Sequence, residues 1–485
     1  MPQTPLTPGT YVEEIPARAR TITGVPTSLT AFLGRALRGP TDRPRRVQSF
    51  AEFERVFGGL WDASPLGHAV QQFFANGGRE ALVCRIHHGA TAATMTLPGG
   101  LCFVAADEGR WGGRLRLRID PADSLFDLEV TDTGTGAAER FTGLSTDGHH
   151  PKYIARVLQE GSALLRVDGV VPAACPPPWS APFEDNGSDG DALVDADLSD
   201  PALEAQQRGL WLLEQADLFN LLCIPPLGPG RDVGRATWDA ALAYALRRRA
   251  FVIVDPPAAW VTVAQVTESA LDDCVSSGDA RRNAAIYFPR IGAPDPSAPC
   301  GAVAGVYARG DAQRGVWKAP AGTDATLVGI TQWTAPISYH EQDQLSRRGI
   351  NALRTLPSYG PVIWGARTLA CTDADDPEWR YVPVRRLALF IEESLVRGTR
   401  WAVLERNDEP LWAQLRLSVG SFMLGLFQQG AFQGRSPHEA YFVKCGVETI
   451  TRQDIAQGVA TLLVGFAPLK PAEFIVLNIR VGTAP

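Results

Sequence analysis

Few residues in this 485-residue chain combine the types and spacing that chemistry requires. Cys84, His87 and His88 stand close together at the end of an apolar stretch that reads as a buried strand. A strand sends positions 84 and 88 to one face and 87 to the other. No second ligand pair stands near them, so the trio does not read as a metal site. His149-His150 is equally isolated, in a Gly-Asp turn. Asp255 closes an apolar strand ahead of Pro256-Pro257. Strand ends in α/β sheets often carry catalysis, but no nucleophile, base or oxyanion loop accompanies it, and its expected part is to cap the following turn. Gly34-Arg35-Ala36-Leu37-Arg38-Gly39 faintly resembles a dinucleotide loop. Such a loop needs a helix next, so that phosphate meets its N-terminus. Pro40, Asp42 and Pro44 follow instead, and a plain turn is expected. The chain has no glycine loop ending in Lys-Ser/Thr, and its acidic segment after Asp185 lacks the Glu a calcium loop carries at its twelfth position. The expectation is a protein without catalytic residues, cofactor or metal.

The charge balance points the same way. The chain has 46 basic and 53 acidic side chains, a net charge of −7. Residues 184–200 (EDNGSDGDALVDADLSD) hold seven acids and no base, so the remainder is electrically neutral. A dedicated nucleic-acid binder needs a basic surface to displace counterions, and no nucleic-acid partner is expected. Lysine occurs only at Lys152, Lys318, Lys444 and Lys470, so almost every base is arginine. The eight cysteines are scattered singly, which suits buried thiols in a reducing compartment better than a disulfide framework. The N-terminal MPQTPLTPGTYVEE has no apolar core of a secretory signal. The uncharged run Leu417–Gly434 is broken by Gly, Ser and Gln, too polar for a membrane span.

The length allows two to four domains. Pro2, Pro5, Pro8 and Pro16 exclude a helix from the first residues, while Tyr11, Val12 and Ile15 give strand character, so an extended arm is expected over 1–20. Residues 29–88 read strand–helix–helix–strand, with Ser49 and Glu52 opening one helix, Gly58 closing it, and Ser64-Pro65 opening the next. From about residue 90 short strands and Gly/Pro turns take over. Leu115, Leu117 and Ile119 alternate with Arg114, Arg116 and Arg118, the period of a half-exposed strand. A mostly β insertion over 90–199 is expected. Residues 200–360 alternate helix and strand, with strands near 218–224, 251–254 and 284–288 and helices near 236–248 and 258–276, as a buried, largely parallel sheet requires. Helices follow from Val384 to Val396 and after Asp408. Arg385, Arg386, Glu392 and Glu393 read as a solvated helix face. The chain ends in a second extended segment, 471–485. Ile475, Leu477, Ile479 and Val481 fall on one face, and Phe474, Val476, Asn478 and Arg480 on the other.

A resemblance lies in short motifs spread along the chain. These are Pro8-Gly9-Thr10-Tyr11-Val12-Glu13-Glu14-Ile15, Phe32-Leu33-Gly34-Arg35-Ala36, Gly39-Pro40, Phe57-Gly58-Gly59 and Phe73-Phe74-Ala75-Asn76-Gly77-Gly78. Asn186-Gly187-Ser188-Asp189-Gly190, Tyr287-Phe288-Pro289, GAVAGVYARGD (301–311), GVWKAPAG (315–322), Gly349-Ile350-Asn351 and Trp364-Gly365-Ala366-Arg367-Thr368 continue the series. ERNDEPLW (405–412), ending in Trp412, then Ala440-Tyr441-Phe442-Val443-Lys444-Cys445 and Pro471-Ala472-Glu473-Phe474 complete it. In this order they resemble the tail sheath proteins of contractile phage tails and related contractile injection systems. Gly446, where an Asp often follows the Cys, and Thr449-Ile450-Thr451 depart from the pattern.

The resemblance implies a multi-domain α/β (α+β mixed) sheath fold. It would have an inner domain of 21–89 with 361–470, an inserted outer domain of 90–199, a middle domain of 200–360 and two arms. It implies a structural subunit that polymerises with itself as sixfold stacked rings or a helix, around an inner tube protein, between baseplate and terminator proteins. Such a particle is assembled in the bacterial cytoplasm, without membrane insertion. Arm residues Pro8, Gly9, Tyr11, Val12, Glu13 and Ile15, and Phe474, Ile475, Val476, Leu477, Ile479 and Val481, would add strands to neighbouring subunits. Gly365, Arg367, Trp412, Phe442, Lys444 and Cys445 would belong to the family's inner core. The alternatives are a non-contractile tail or baseplate relative, or an α/β enzyme with a β insertion.

Overall fold

The computed structural model describes residues 20–471 apart from Ala270, residues 294–296 and residues 373–377. The fold is mixed α/β, built on an eight-stranded sheet. From edge to edge its strands are Gly360–Ile363, Ile350–Leu356, Ala284–Phe288, Phe251–Val254, Leu221–Cys223, Thr30–Gly34, Ala81–Arg85 and Arg45–Val47. The six inner strands are parallel, and each edge strand is antiparallel to its neighbour. Helices cover both faces, so the inner strands are apolar almost continuously rather than alternately. TAFLG, FVIV and AAIYF are buried at every position.

Two compact units divide the chain: residues 26–386, and residues 1–25 together with 387–485. The expected grouping of 21–89 with 361–470 is therefore drawn differently. Thr30–Gly34 lies between Leu221–Cys223 and Ala81–Arg85 in one parallel ladder, because the main-chain N–H and C=O groups of a fully buried strand need partners on both edges. The helix expected over 258–276 is also shorter. It spans Val263–Glu268 and is followed by a 3-10 turn, Leu271–Asp273. The guanidinium of Arg348 donates to the carbonyls of Val266 (2.5 Å) and Ser269 (2.8 Å), taking from the helix the acceptors its continuation would use. Other helix signals hold. Ser49 Oγ accepts from Glu52 N, Gly58 closes that helix at φ 91°, and Asp408 opens Glu409–Gln428.

One face of the sheet packs on helix Arg235–Arg248, whose Trp238, Ala241, Leu242 and Ala245 join Ala31, Leu33, Val252, Val254 and Ile286 in one core. The other face meets helices Leu66–Ala75 and Cys300–Arg314 through Phe32 on Phe73 and Phe251 on Tyr307. These two helices cross at glycine. A Cβ on Gly301 would stand 2.0 Å from the Ala69 carbonyl oxygen, and one on Gly305 2.5 Å from that of Phe73. The GAVAG motif is thus a close-approach stripe.

Between residues 92 and 183 lie a three-stranded sheet (Thr94–Thr96, Cys102–Ala105, Leu165–Asp168) and a four-stranded one (Trp179–Pro182, Leu115–Ala122, Leu125–Asp132, Ala138–Leu144). Helix Ile154–Gly161 packs with them on a core of Phe103, Leu117, Phe126, Leu128, Leu158 and Leu165. Leu115, Leu117 and Ile119 are buried and Arg114, Arg116 and Arg118 exposed, as their alternation requires. The outgoing and returning chains pair at a neck through antiparallel bridges His88–Asp191 and Thr91–Ser188. Asn186 Oδ1 accepts from Thr94 N at 2.8 Å. Gly190, at φ 69°, lies so close that a Cβ would be 2.2 Å from the His88 oxygen.

Gly305→Val should destabilise unit 26–386 by about 3 kcal/mol through overpacking against Phe73. Gly310→Ala, with nothing within 4 Å of the added Cβ, should be near neutral. Chemical denaturation of both variants measures the contrast.

Candidate functional site

In the unit formed by 1–25 and 387–485, strand Tyr441–Lys444 pairs antiparallel with Leu463–Phe466, and among the described residues no third strand joins them. The pleat divides their side chains. Tyr441 and Phe466 both contact the ring of Phe432, and the Tyr441 hydroxyl donates to Gly420 O (3.4 Å) on helix Glu409–Gln428. Val443 and Val464 share this inward face. Phe442, Lys444, Leu463 and Gly465 form the other. Phe442 lies across Gly465, where a Cβ would come within 2.3 Å of its ring, and Lys444 Nζ lies 5.6 Å from the ring centroid. Phe442 and Leu463 remain 47% and 48% exposed.

Of the residues expected in the core of this unit, Trp412 and Cys445 meet at the same helix, whereas Phe442 and Lys444 lie on the exposed outward face. Trp412 is buried and donates its indole N–H to Asn407 Oδ1 at 2.7 Å, while Asn407 Nδ2 donates to Val459 O at 2.9 Å. The buried Cys445 packs in one cluster with Trp412 and Leu415. Its carbonyl accepts from Arg416, which also pairs with Glu409 at 2.5 Å, and burial pushes its thiol pKa up. Where the family pattern has Asp, Gly446 N donates to Thr449 Oγ1 (3.2 Å), whose hydroxyl bonds Thr461 O (3.0 Å). Residues 20–25 are strapped to this unit. Arg20 lies over the Trp401 ring at 4.8 Å, Val25 N donates to Ser394 Oγ at 3.1 Å, and Gly24 and Gly398 leave room only for Phe390 and Ile22. The predicted arm residues Pro8, Gly9, Tyr11, Val12, Glu13 and Ile15, and Phe474, Ile475, Val476, Leu477, Ile479 and Val481, lie outside the described residues.

In unit 26–386, Gly365 and Arg367 serve the buried Asn351. Asn351 Oδ1 accepts from Arg367 N at 2.7 Å and its Nδ2 donates to Ile286 O and Arg367 O; a Cβ on Gly365 would be 2.8 Å from that Oδ1. Arg385 and Arg386 are not a solvated face: both are buried. Arg386 donates to Asp311 at 2.5 and 3.0 Å and to Thr27 O at 3.0 Å, beneath the ring of Tyr307. Arg385 donates to Asn283 Oδ1 at 2.7 Å. In the other unit Glu393 is likewise buried, paired with Arg397 at 2.6 Å. Charges so placed need local partners, and those of the two arginines come from 75 and 102 residues away in sequence.

The residues with chemical potential are spent on structure. The Gly34–Gly39 loop wraps the buried Arg85, which donates to Ala36 O and Gly39 O at 3.0 and 2.8 Å. His87 Nδ1 accepts from Ala90 N, His88 pairs with Asp197 at 2.7 Å, and Cys84 is buried among apolar side chains. Among the described residues no group of three potential ligands could hold a metal, and no helix is long and apolar enough to cross a membrane. Asp255 does not cap the turn beside it. Its Oδ1 accepts from Cys300 N at 2.9 Å, closing the first turn of the distant helix Cys300–Arg314, while its buried Oδ2 has no hydrogen-bond partner in the protein. Burial pushes this carboxyl up to about 6, against the bond from Cys300 and the charge of Arg290.

No family model matches the chain. A curated protein of Pseudomonas aeruginosa (strain UCBPP-PA14), described as a prophage major tail sheath protein, is 25% identical over 296 residues, covering 58% of this chain and 71% of that protein. The anti-feeding prophage baseplate, solved with sixfold symmetrisation, contains a chain superposing at TM-score 0.59 with 22% identity, over 99% of this chain and 100% of that one. The sheath complex of the PVC extracellular contractile injection system, in its contracted state, gives TM-score 0.60 with 21% identity, over 99% and 98%. The fold is therefore that of contractile-tail sheath proteins. The resemblance carried by the short motifs extends, at the level of fold, along nearly the whole chain.

Arg386→Ala should destabilise unit 26–386 by about 3–5 kcal/mol by stranding Asp311, while the paired change Arg386→Met with Asp311→Leu should cost less; denaturant titration compares them. Asp255 holds its proton more tightly when folded than unfolded. Its contribution is therefore present below about pH 4 and lost as pH rises through about 6. Asp255→Asn should raise stability at pH 7.5 by roughly 1–3 kcal/mol and flatten the profile between pH 4 and 7, as melting temperatures across that range would show.

Proposed function

We propose that this protein is the structural subunit of a contractile sheath, polymerising around an inner tube and shortening to drive that tube through a target envelope. The observation that carries this reading is the two-stranded hairpin Tyr441–Lys444/Leu463–Phe466, which no third strand joins among the described residues. Two strands alone are marginal in water, and their outer edges offer main-chain groups to further strands. Eleven of the eighteen large apolar side chains exposed among the described residues fall in the unit of 1–25 and 387–485, although it holds only about a fifth of the described residues. Val403, Leu404, Leu417, Val447 and Leu463 are among the eleven. Such a surface suits repeated contact between copies.

The arms, 1–20 and 471–485, would supply the strands, each to a neighbouring copy, joining subunits in sixfold stacked rings or a helix. Contraction would then move subunits as near-rigid bodies between two lattices that differ in contact area. Energy stored in that difference needs no nucleotide. Inner tube, baseplate and terminator proteins would complete the particle, assembled in the bacterial cytoplasm. The sheath and baseplate assemblies that share the fold, and the prophage relative, support this reading over an enzyme.

Deleting residues 1–19 should leave a folded protein, with circular dichroism unchanged, that forms no tubes by electron microscopy and does not pellet as polymer. Normal striated tubes from that deletion would rule out arm donation.

A further inference from the structure

The chain contains two Asn-Gly pairs, Asn76-Gly77 and Asn186-Gly187. We propose that the second is a site of spontaneous modification. Water converts the Asn186 carboxamide to aspartate and isoaspartate as the protein ages, and the neck of the β insertion loosens with it. The inference stands apart from any assembly of the chain.

The reaction uses the chain's own backbone. The Gly187 nitrogen gives its proton to solvent and bonds to Asn186 Cγ. The Cγ–Nδ2 bond breaks, and Nδ2 takes a proton from solvent and leaves as ammonia. Water then opens the cyclic imide at either carbonyl, leaving a side-chain carboxylate or a main chain routed through Cγ. In sum, one amide and one water give one carboxylic acid and one ammonia. Glycine after asparagine favours ring closure, because no Cβ obstructs the approach of the nitrogen.

The fold leaves this nucleophile free at one pair and ties it at the other. Gly187 N–H donates to no group among the described residues, whereas Gly77 N donates to Phe74 O at 3.3 Å. Asn76 is fully buried, its Oδ1 accepting from Val328 N at 2.8 Å and its Nδ2 donating to Gln72 O at 2.9 Å. Asn186 is exposed. Its Nδ2 donates to Thr94 Oγ1 at 3.0 Å, Thr94 O at 3.3 Å and Glu184 Oε2 at 3.4 Å. Bonds that water can replace at once cost little to release.

The same carboxamide closes the neck. Strand Thr94–Thr96 is an edge of its three-stranded sheet. Asn186 pairs with the Thr94 main chain as a neighbouring strand would, accepting from N at 2.8 Å and donating to O at 3.3 Å. A carboxylate at 186 has no donor and sets an oxygen against Thr94 O and Glu184. Isoaspartate adds a main-chain carbon just ahead of Ser188, which exchanges two 2.9 Å bonds with Thr91. Gly187 has no room to absorb the extra length, since even a Cβ there would stand 2.5 Å from Gly109 O.

Peptide mapping by mass spectrometry, after the full-length protein has aged in mildly alkaline buffer, compares the two pairs. Asn186 should be converted at least about tenfold faster than Asn76 in the folded protein, and within about twofold of it in urea, where both are open to solvent. Equal rates in the folded protein would overturn the site, and a tenfold gap persisting in urea would overturn the part given to the fold. Asn186→Asp tests the consequence. Hydrogen exchange at the Thr91 and Ser188 amides should quicken at least about threefold, with the amides of Ala284–Phe288 unchanged. Exchange at Thr91 and Ser188 equal to that of the unmodified protein would overturn the loosening of the neck.

Discussion

Buried and half-buried arginine forks donating to main-chain carbonyls tie the loops of this fold together. A parallel sheet with long crossovers leaves many loop carbonyls away from water, and each needs a donor. Arg85 serves Ala36, Gly39 and Glu108; Arg35 serves Asp189 and Gly190; Arg309 serves Asn76 and Thr326; Arg248 serves Leu213 and Ala216. One planar guanidinium reaches two or three carbonyls at fixed angles, which the compact lysine ammonium does less well. The near-absence of lysine in the sequence has a structural use here. The neck of the β insertion shows it best, where Arg35 fastens the returning chain at Asp189 and Gly190, and Arg85 fastens Glu108 of the insertion to the loop after Thr30–Gly34.

Glycine supplies the complementary constraint. The short motifs that resemble the sheath family are largely places where backbones touch. Gly301 and Gly305 let two helices cross, Gly190 lets the neck strands meet, and Gly365 makes room for Asn351. Asn76, in the motif before Gly77, is fully buried and exchanges hydrogen bonds with the main chain of Val328. These are packing signatures rather than chemical ones. That is why a search for nucleophiles and metal ligands finds residues of the right type already committed: His88 to Asp197, Asp255 to the helix at Cys300, Asp311 to Arg386.

The two compact units divide the labour differently. Residues 26–386 pair the buried Arg85, Arg385 and Arg386 internally and carry the eight-stranded sheet. Among its described residues, the unit of 1–25 and 387–485 has a hairpin that no third strand joins, an exposed Phe442 and many apolar side chains in water. An exposed apolar surface of this kind suits contact with other chains, and the charge outside residues 184–200 is near neutral.

Local physics made much of this legible in the chain itself. The Ser49 and Asp408 caps, the Gly58 helix stop, the alternation of Leu115, Leu117 and Ile119 with arginine, and the unbroken apolar runs of the parallel strands follow from period and propensity within a few residues. The resemblance to sheath proteins was equally readable, because backbone contacts confine glycine to fixed places. Tertiary structure alone decided the rest. Which strands lie side by side depends on pairings across more than a hundred residues, so Thr30–Gly34 could not be assigned to the sheet of Leu221–Cys223 from its own neighbourhood. Arg385 and Arg386 looked like surface charge because Asn283 and Asp311 are remote in sequence. Asp255 found its donor at Cys300 for the same reason. Burial of a charge is set by what the fold brings to it, and no local pattern records that.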